Sequence, residues 1–327
     1  MKKHLVLLVC VMIVSTVVFA AGSSESAKSF TLKVGTVLTE NDPLYKGLEL
    51  FKANVESRTN GDVKVELYSG SQLGADEDVL EQAKVGAGVG VITDPGRMSN
   101  YIKEFGILGG PYIATDYEDA LRLMETSVYQ DLVGQFEEYG FKILSFNYFQ
   151  GSRNLYTKNP VTKPSDLNGQ RIRSSGSEIV TKSLEAMGAN TTVIPWSESY
   201  QALQQKVIEG VEVHNSAAVG SSIYEVTDYV AETGHFQLLT GLVISNSWFQ
   251  KLPAEYQQIL MEESYNAGKS ASETVAANDA EYLQQTIDSG LTLTQVDKAA
   301  FIAAAEKAYD EVGYRALKDK IDQELGR

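Results

Sequence analysis

Residues 31–36 alternate apolar and polar side chains, and residues 63–67 and 89–92 also read as short strands. Between the first two, Asp42 and Pro43 open a helix as cap and first residue. Leu44, Leu48, Phe51 and Val55 then fall on one face, and Asn60-Gly61 closes it. A second helix is expected over residues 76–85, after a glycine-rich loop. Strand–helix–strand–helix–strand predicts a parallel α/β layer, with ligands at the carboxyl ends of its strands.

The same order returns at residues 164–215. A turn at 166–169 leads into an extended 171–173. Residues 177–187 are helical, closed by Gly188. The β-branched run 191–194 is a strand ended by Pro195, Ser197 caps a helix over 198–206, and 211–213 is a third strand. No residue-level repeat joins the two halves, so their likeness is architectural. Between them, 105–113 reads as apolar strand or extended chain, 117–125 and 128–138 as helices, and 142–148 as a strand. Gly151 marks the crossover to a second lobe, and strands at 236–239 and 242–246 return to the first.

Residues 253–290 hold the longest helical pattern. At about 1.5 Å per residue it would reach roughly 50 Å, more than one small lobe needs. Gly268 offers a break that would leave two helices; the alternative is one helix, residues 254–289, lying across both lobes. One or two helices close the chain over 297–325.

Lys2, Lys3 and the apolar run 5–19 read as a secretory signal peptide over residues 1–20, followed by a flexible leader, 21–29. The single cysteine, Cys10, lies inside that signal behind Leu7, Leu8 and Val9, too bulky for a lipoprotein acceptor site. The mature chain therefore has no thiol or disulfide. Removing residues 1–20 takes away two lysines and no acid, so the net charge of −15 becomes about −17. That balance argues against nucleic acid and anionic membrane as partners, and for a soluble monomer without stable membrane insertion.

Against this acidity, residues 151–173 carry Arg153, Lys158, Lys163, Arg171 and Arg173 beside one acid, Asp166. A charge run is usually a solvated face. Arginine at strand ends changes the weighing, because its rigid donor fork matches a carboxylate bidentately. Arg171 and Arg173 share a face in a regular strand, so spacing alone leaves the choice open. Asn147, polar within an apolar strand, needs a partner that a ligand or a loop could supply. Trp196 reads as a pocket wall or as core, and Asp94 follows a strand end. There is no nucleophile elbow, no phosphate or dinucleotide fingerprint, and only His214 and His235 beyond the signal, so neither metal nor cofactor is expected. Abundant acidic pairs such as Asp76/Glu77 leave a secreted carbohydrate-active enzyme as an alternative.

PSDLNGQRIR (164–173), LEAMGAN (184–190) and PWSESYQALQQKVIEGVE (195–212), with GSQLG (70–74) before Glu77 and FQKLP (249–253), resemble the DctP-like solute-binding proteins of tripartite ATP-independent periplasmic (TRAP) transporters. The resemblance covers nearly the whole mature chain. It implies a two-lobe α/β periplasmic-binding-protein fold of type II-like form, with a long helix spanning both lobes. Lobe I would be 30–150 plus about 236–267, and lobe II 151–235 plus about 268–327. It implies a non-enzymatic periplasmic receptor that closes on a small organic acid, such as a sugar acid, and delivers it to TRAP membrane subunits; a receptor for a signalling protein is the alternative. On the family motif Arg173 falls on the arginine that pairs with the ligand carboxylate, Arg153 on a supporting arginine, and Glu77 on a site carboxylate. The family's asparagine falls on Val213, which makes Asn215, two residues on, its replacement or leaves the ligand read differently.

Overall fold

The structure, a computed structural model, describes residues 29–327. The signal peptide, Cys10 and the leader up to residue 28 lie outside the described residues.

The first strands are β1 (Phe30–Gly35), β2 (Val63–Tyr68) and β3 (Val89–Thr93), parallel to one another as the pattern predicts. Helix α1 (Pro43–Arg58) joins the first two, and helix α2 (Asp76–Lys84) the second pair. The Asp42 carboxylate caps α1, accepting from Leu44 N at 2.9 Å. Leu44, Leu48, Phe51 and Val55 are all buried, each stabilising the layer by about 1.5–3 kcal/mol relative to exposure. The second parallel set is β5 (Arg171–Ser174), β6 (Asn190–Val193) and β7 (Gly210–His214).

Two 17-residue strands, β4 (Phe141–Thr157) and β8 (Tyr229–Ser245), join these sets. The sheet order is β2-β1-β3-β8-β4-β7-β5-β6, and β9 (Thr292–Thr294) pairs with β8. β8 runs antiparallel to β3 and β4 antiparallel to β7, so the second half is entered along β4 and the first is completed by β8 on the chain's return. The β4–β8 pairing shifts register at several points, one of them around Gly151, whose φ is +117°.

The expected pair of strands at 236–239 and 242–246 is therefore one strand. Thr240-Gly241 interrupts the apolar pattern but not the ladder, and Gly241 lies so close to Phe146 that a Cβ there would clash. The apolar segment 105–113 is not a strand. Its first part is a 3-10 helix, Lys103–Gly109, with Phe105 packed edge-on against Phe136 and Phe146. The helix after Trp196 is shorter than expected, a 3-10 turn followed by Ser199–Gln204. Three helices close the chain: Lys298–Ala305, Lys307–Val312 and Arg315–Leu325. The last packs back on the 103–133 region, where the Glu324 carboxylate accepts from Ser127 N at 2.7 Å.

The long helix is continuous from Ala254 to Asp288, through Gly268. It touches α1 at one end of the molecule, where the Glu263 carboxylate accepts from Asn54 at 2.7 Å. Further along, Ser272 Oγ accepts from Phe149 N on β4 at 2.8 Å, and Asp279 accepts from Asn215 in the other half at 3.1 Å. Gly268 is a site of close approach: a Cβ there would stand 2.5 Å from Asn147 Oδ1. Among the described residues no helix is long and apolar enough to cross a membrane.

Candidate ligand-binding site

A cavity opens at the carboxyl ends of β1, β3, β5 and β7, where ligands of such sheets bind. One side is cationic. Arg173, near the end of β5, is 2 % exposed. Its Nε donates to Ile194 O at 3.0 Å, its guanidinium lies 5.6 Å from the Trp196 ring centre, and Nη1 is 3.9 Å from Glu212. Among the described residues its Nη2 has no partner. Burial pulls the Arg173 pKa down to about 10 while Glu212 pushes the other way, so the group stays charged at neutral pH. Position along the strand, not the face, separates the two arginines. Arg171 sits at the exposed start of β5, donating to Val207 O at 2.8 Å and Lys206 O at 2.9 Å.

Arg153 lies on β4 opposite His214 on β7. Its Nη2 donates to Glu212 Oε1 and to Glu212 O, both at 2.7 Å, and its Nε contacts Oε2. Glu212 is 1 % exposed and stands between the two guanidinium groups. Burial raises its pKa and both arginines oppose that. It holds Arg153 in place more fully than Arg173, which keeps a free donor.

The facing side is acidic. Asp94 follows β3 and caps the short helix Pro95–Met98, accepting from Arg97 N at 3.0 Å. The Arg97 side chain folds back onto Asp94 and reaches Glu77 at 2.7 Å and Asp76 at 3.6 Å. Burial alone would raise Asp94, but Arg97 beside it outweighs burial and holds the carboxyl below its ordinary value. Asp76, farther from Arg97, is pushed by burial up to about 6.

Of the residues singled out in the sequence, Arg173, Arg153, Asp94 and Trp196 line the cavity. Glu77, Asn147 and Asn215 are not in its wall. In the first turn of α2 it is Asp76 that turns inward, while Glu77 is half-exposed and pairs with Arg97. Asn147 donates to Tyr265 O at 2.8 Å and packs β4 on the long helix. Asn215 begins the helix Asn215–Gly220; its Oδ1 accepts from Tyr156 and Asn154, and its Nδ2 donates to Asp279. Sequence reasoning missed Arg97, Glu212 and His214 as parts of the site, and knew Asp76 only as one of an acidic pair. A signal for Arg97 existed: Asp94-Pro95 is a cap-and-proline helix start at a strand end, which puts the third residue after the cap beside it.

These elements define a class, a two-lobe binding protein with a charged ligand cleft, and the comparisons define the family. A family model for bacterial extracellular solute-binding protein, family 7 (DctP), matches residues 34–315, and the chain belongs to that family of TRAP solute receptors, which are not enzymes. The C4-dicarboxylate-binding periplasmic protein DctP of Rhodobacter capsulatus is 27 % identical over 300 residues, 90 % of each chain. A TRAP periplasmic solute-binding protein from Ochrobacterium anthropi with bound L-fuconate is similar at 31 % identity and a TM-score of 0.87, covering 91 % of this chain and 99 % of that one. An apo open structure from Escherichia fergusonii is 36 % identical with a TM-score of 0.79, covering 90 % and 99 %.

Proposed function

We propose that the protein is a periplasmic, monomeric receptor that holds a small organic acid by its carboxylate on Arg173 and presents it to TRAP membrane subunits. The observation that carries this reading is the free Nη2 of Arg173, a charged donor buried to 2 % exposure in the cavity. A carboxylate would complete its fork, and Arg153, fixed by Glu212, would add positive potential. Residues 30–150 with about 236–267 form the first lobe in this reading, and 151–235 with about 268–327 the second. Ligand pulls them together, and contacts already cross the cleft: Ser216 donates to Asp42 at 3.2 Å, and Lys103 lies 3.6 Å from Glu178. The higher TM-score with the L-fuconate complex than with the apo open relative supports a closed arrangement. That relative's ligand makes sugar acids the first compounds to screen.

Thermal-shift screening of the mature protein against organic acids, followed by calorimetry, tests the proposal. Breaking a buried charge pair costs about 3–5 kcal/mol, so Arg173→Ala should weaken binding by roughly a hundredfold to several thousandfold. Arg173→Lys should also weaken it, because the ammonium lacks the fork. Arg171→Ala should bind nearly as wild type. Unchanged affinity in a correctly folded Arg173→Ala protein would refute the carboxylate clamp.

A further inference from the structure

Beyond Arg173 the cavity wall holds polar groups that the protein itself leaves unpartnered. His214 is 4 % exposed, lines the cavity, and among the described residues has no partner on either ring nitrogen. Thr93, on β3 across the cavity, is 1 % exposed and its Oγ1 is likewise free. Asp76 is 5 % exposed and meets only Arg97, at 3.6 Å; among the described residues no hydrogen bond reaches its carboxylate. Their neighbours are occupied: Asp94 by Arg97, Glu212 by Arg153, and Gln150 by Thr240 at 3.3 Å. Buried polar groups without partners are uncommon, and a cavity that gathers two of them beside a carboxylate held only by an ion pair is built for a polar occupant.

We propose that Asp76, Thr93 and His214 form a hydroxyl-reading wall, so that the ligand is a polyhydroxylated monocarboxylic acid and dicarboxylates are rejected. The inference rests on the carboxylate clamp at Arg173. A neutral imidazole both donates and accepts, a hydroxyl does the same, and a carboxylate accepts, which together match alcohol groups. Burial, with Arg153 adding to it, holds the His214 pKa at about 3, which keeps the ring in that neutral form. A second carboxylate on the ligand would meet Asp76 with like charge and offer no proton to it. An ammonium group would enter a cavity that Arg97, Arg153 and Arg173 all line. An apolar chain would leave Thr93 and His214 buried and unpaired and Asp76 without a hydrogen bond, which is how a hydrogen-bonding site rejects an analogue lacking the hydroxyl.

Calorimetry on the mature protein with galactonate, fuconate, succinate, hexanoate and glutamine tests this. At least one of the two sugar acids should bind on the order of a hundredfold or more tighter than the other three compounds. His214→Leu should weaken the sugar acid by about tenfold or more, while His214→Gln, which still donates and accepts, should keep most of the affinity. Asp76→Asn should narrow the preference for the sugar acid over succinate by about tenfold. The proposal is overturned if succinate, hexanoate or glutamine matches both sugar acids, or if folded His214→Leu and Asp76→Asn proteins leave the preferences unchanged. Arg173→Ala separates the two readings, because it should weaken all acids alike. Loss of that effect with the preferences intact would overturn the clamp and spare the hydroxyl wall.

Discussion

Replacing Glu212 by glutamine asks what holds two buried arginines side by side. Glu212 receives two 2.7 Å bonds from Arg153 through its side chain and main chain, and lies 3.9 Å from Arg173. Glutamine keeps the size and one acceptor oxygen but removes the negative charge. Arg153 loses a charge-assisted bond worth about 1.5–3 kcal/mol, and breaking a buried pair outright costs about 3–5 kcal/mol. With the main-chain bond retained, a loss of about 3 kcal/mol is expected. At about 2 °C per kcal/mol for a chain of this size, the melting temperature should fall by roughly 6 °C. A bound carboxylate would partly restore the missing charge, so saturating ligand should raise the variant's melting temperature by more than it raises that of wild type. Differential scanning calorimetry with and without ligand measures both shifts. An unchanged melting temperature, or an equal ligand shift in both proteins, would refute the view that Glu212 offsets the two cations.

Gly268→Ala should destabilise the protein although alanine favours helix by about 1 kcal/mol, because overpacking against Asn147 and Tyr148 costs about 1–3 kcal/mol; a raised urea midpoint would contradict this. Burial holds the Asp42 pKa at about 6, above its ordinary 3.8, against the opposing bonds from Leu44 N and Ser216. A raised carboxyl favours the fold most below pH 3.8 and loses that advantage as pH rises through 6. Asp42→Asn, which keeps the cap acceptor, should therefore gain on wild type between pH 4 and pH 7.5, by on the order of 2 kcal/mol, in paired urea titrations. A gap that shrinks over that range would reverse the sign.

Much of the parallel core was legible because its strands and helices are short, amphipathic and punctuated. Asp42-Pro43, Gly188 and Pro195 mark ends that local chemistry alone dictates. The long helix was legible as an almost unbroken pattern from Pro253 to Gly290; that Gly268 packs against β4 instead of breaking the helix depends on a strand a hundred residues earlier. The 105–113 segment misled because a fully buried apolar run carries no periodicity. Arg173 was reached through a motif, and its burial then separated it from Arg171. Glu77 and Asp76 are adjacent in sequence and point opposite ways, a distinction that hangs on where the first turn of α2 meets β3. Glu212 and His214 were hidden for a related reason: on a buried strand, charge and imidazole gain meaning only from what the neighbouring strands bring opposite.

The exchange of long strands between the halves also dictates an order of assembly. β3 is finished at Thr93, yet its inner neighbour in the sheet is β8, with Gly90 paired to Ile244. A chain emerging amino end first must therefore carry an open sheet edge through about 150 further residues before the first half can close. Pairings of such long sequence separation are slow to form, and the exposed edge in the interval invites association with other chains. Neither half has a route to completion on its own. Early truncation before Ser245 should yield not a stable half-receptor but a chain whose central strand lacks its partner.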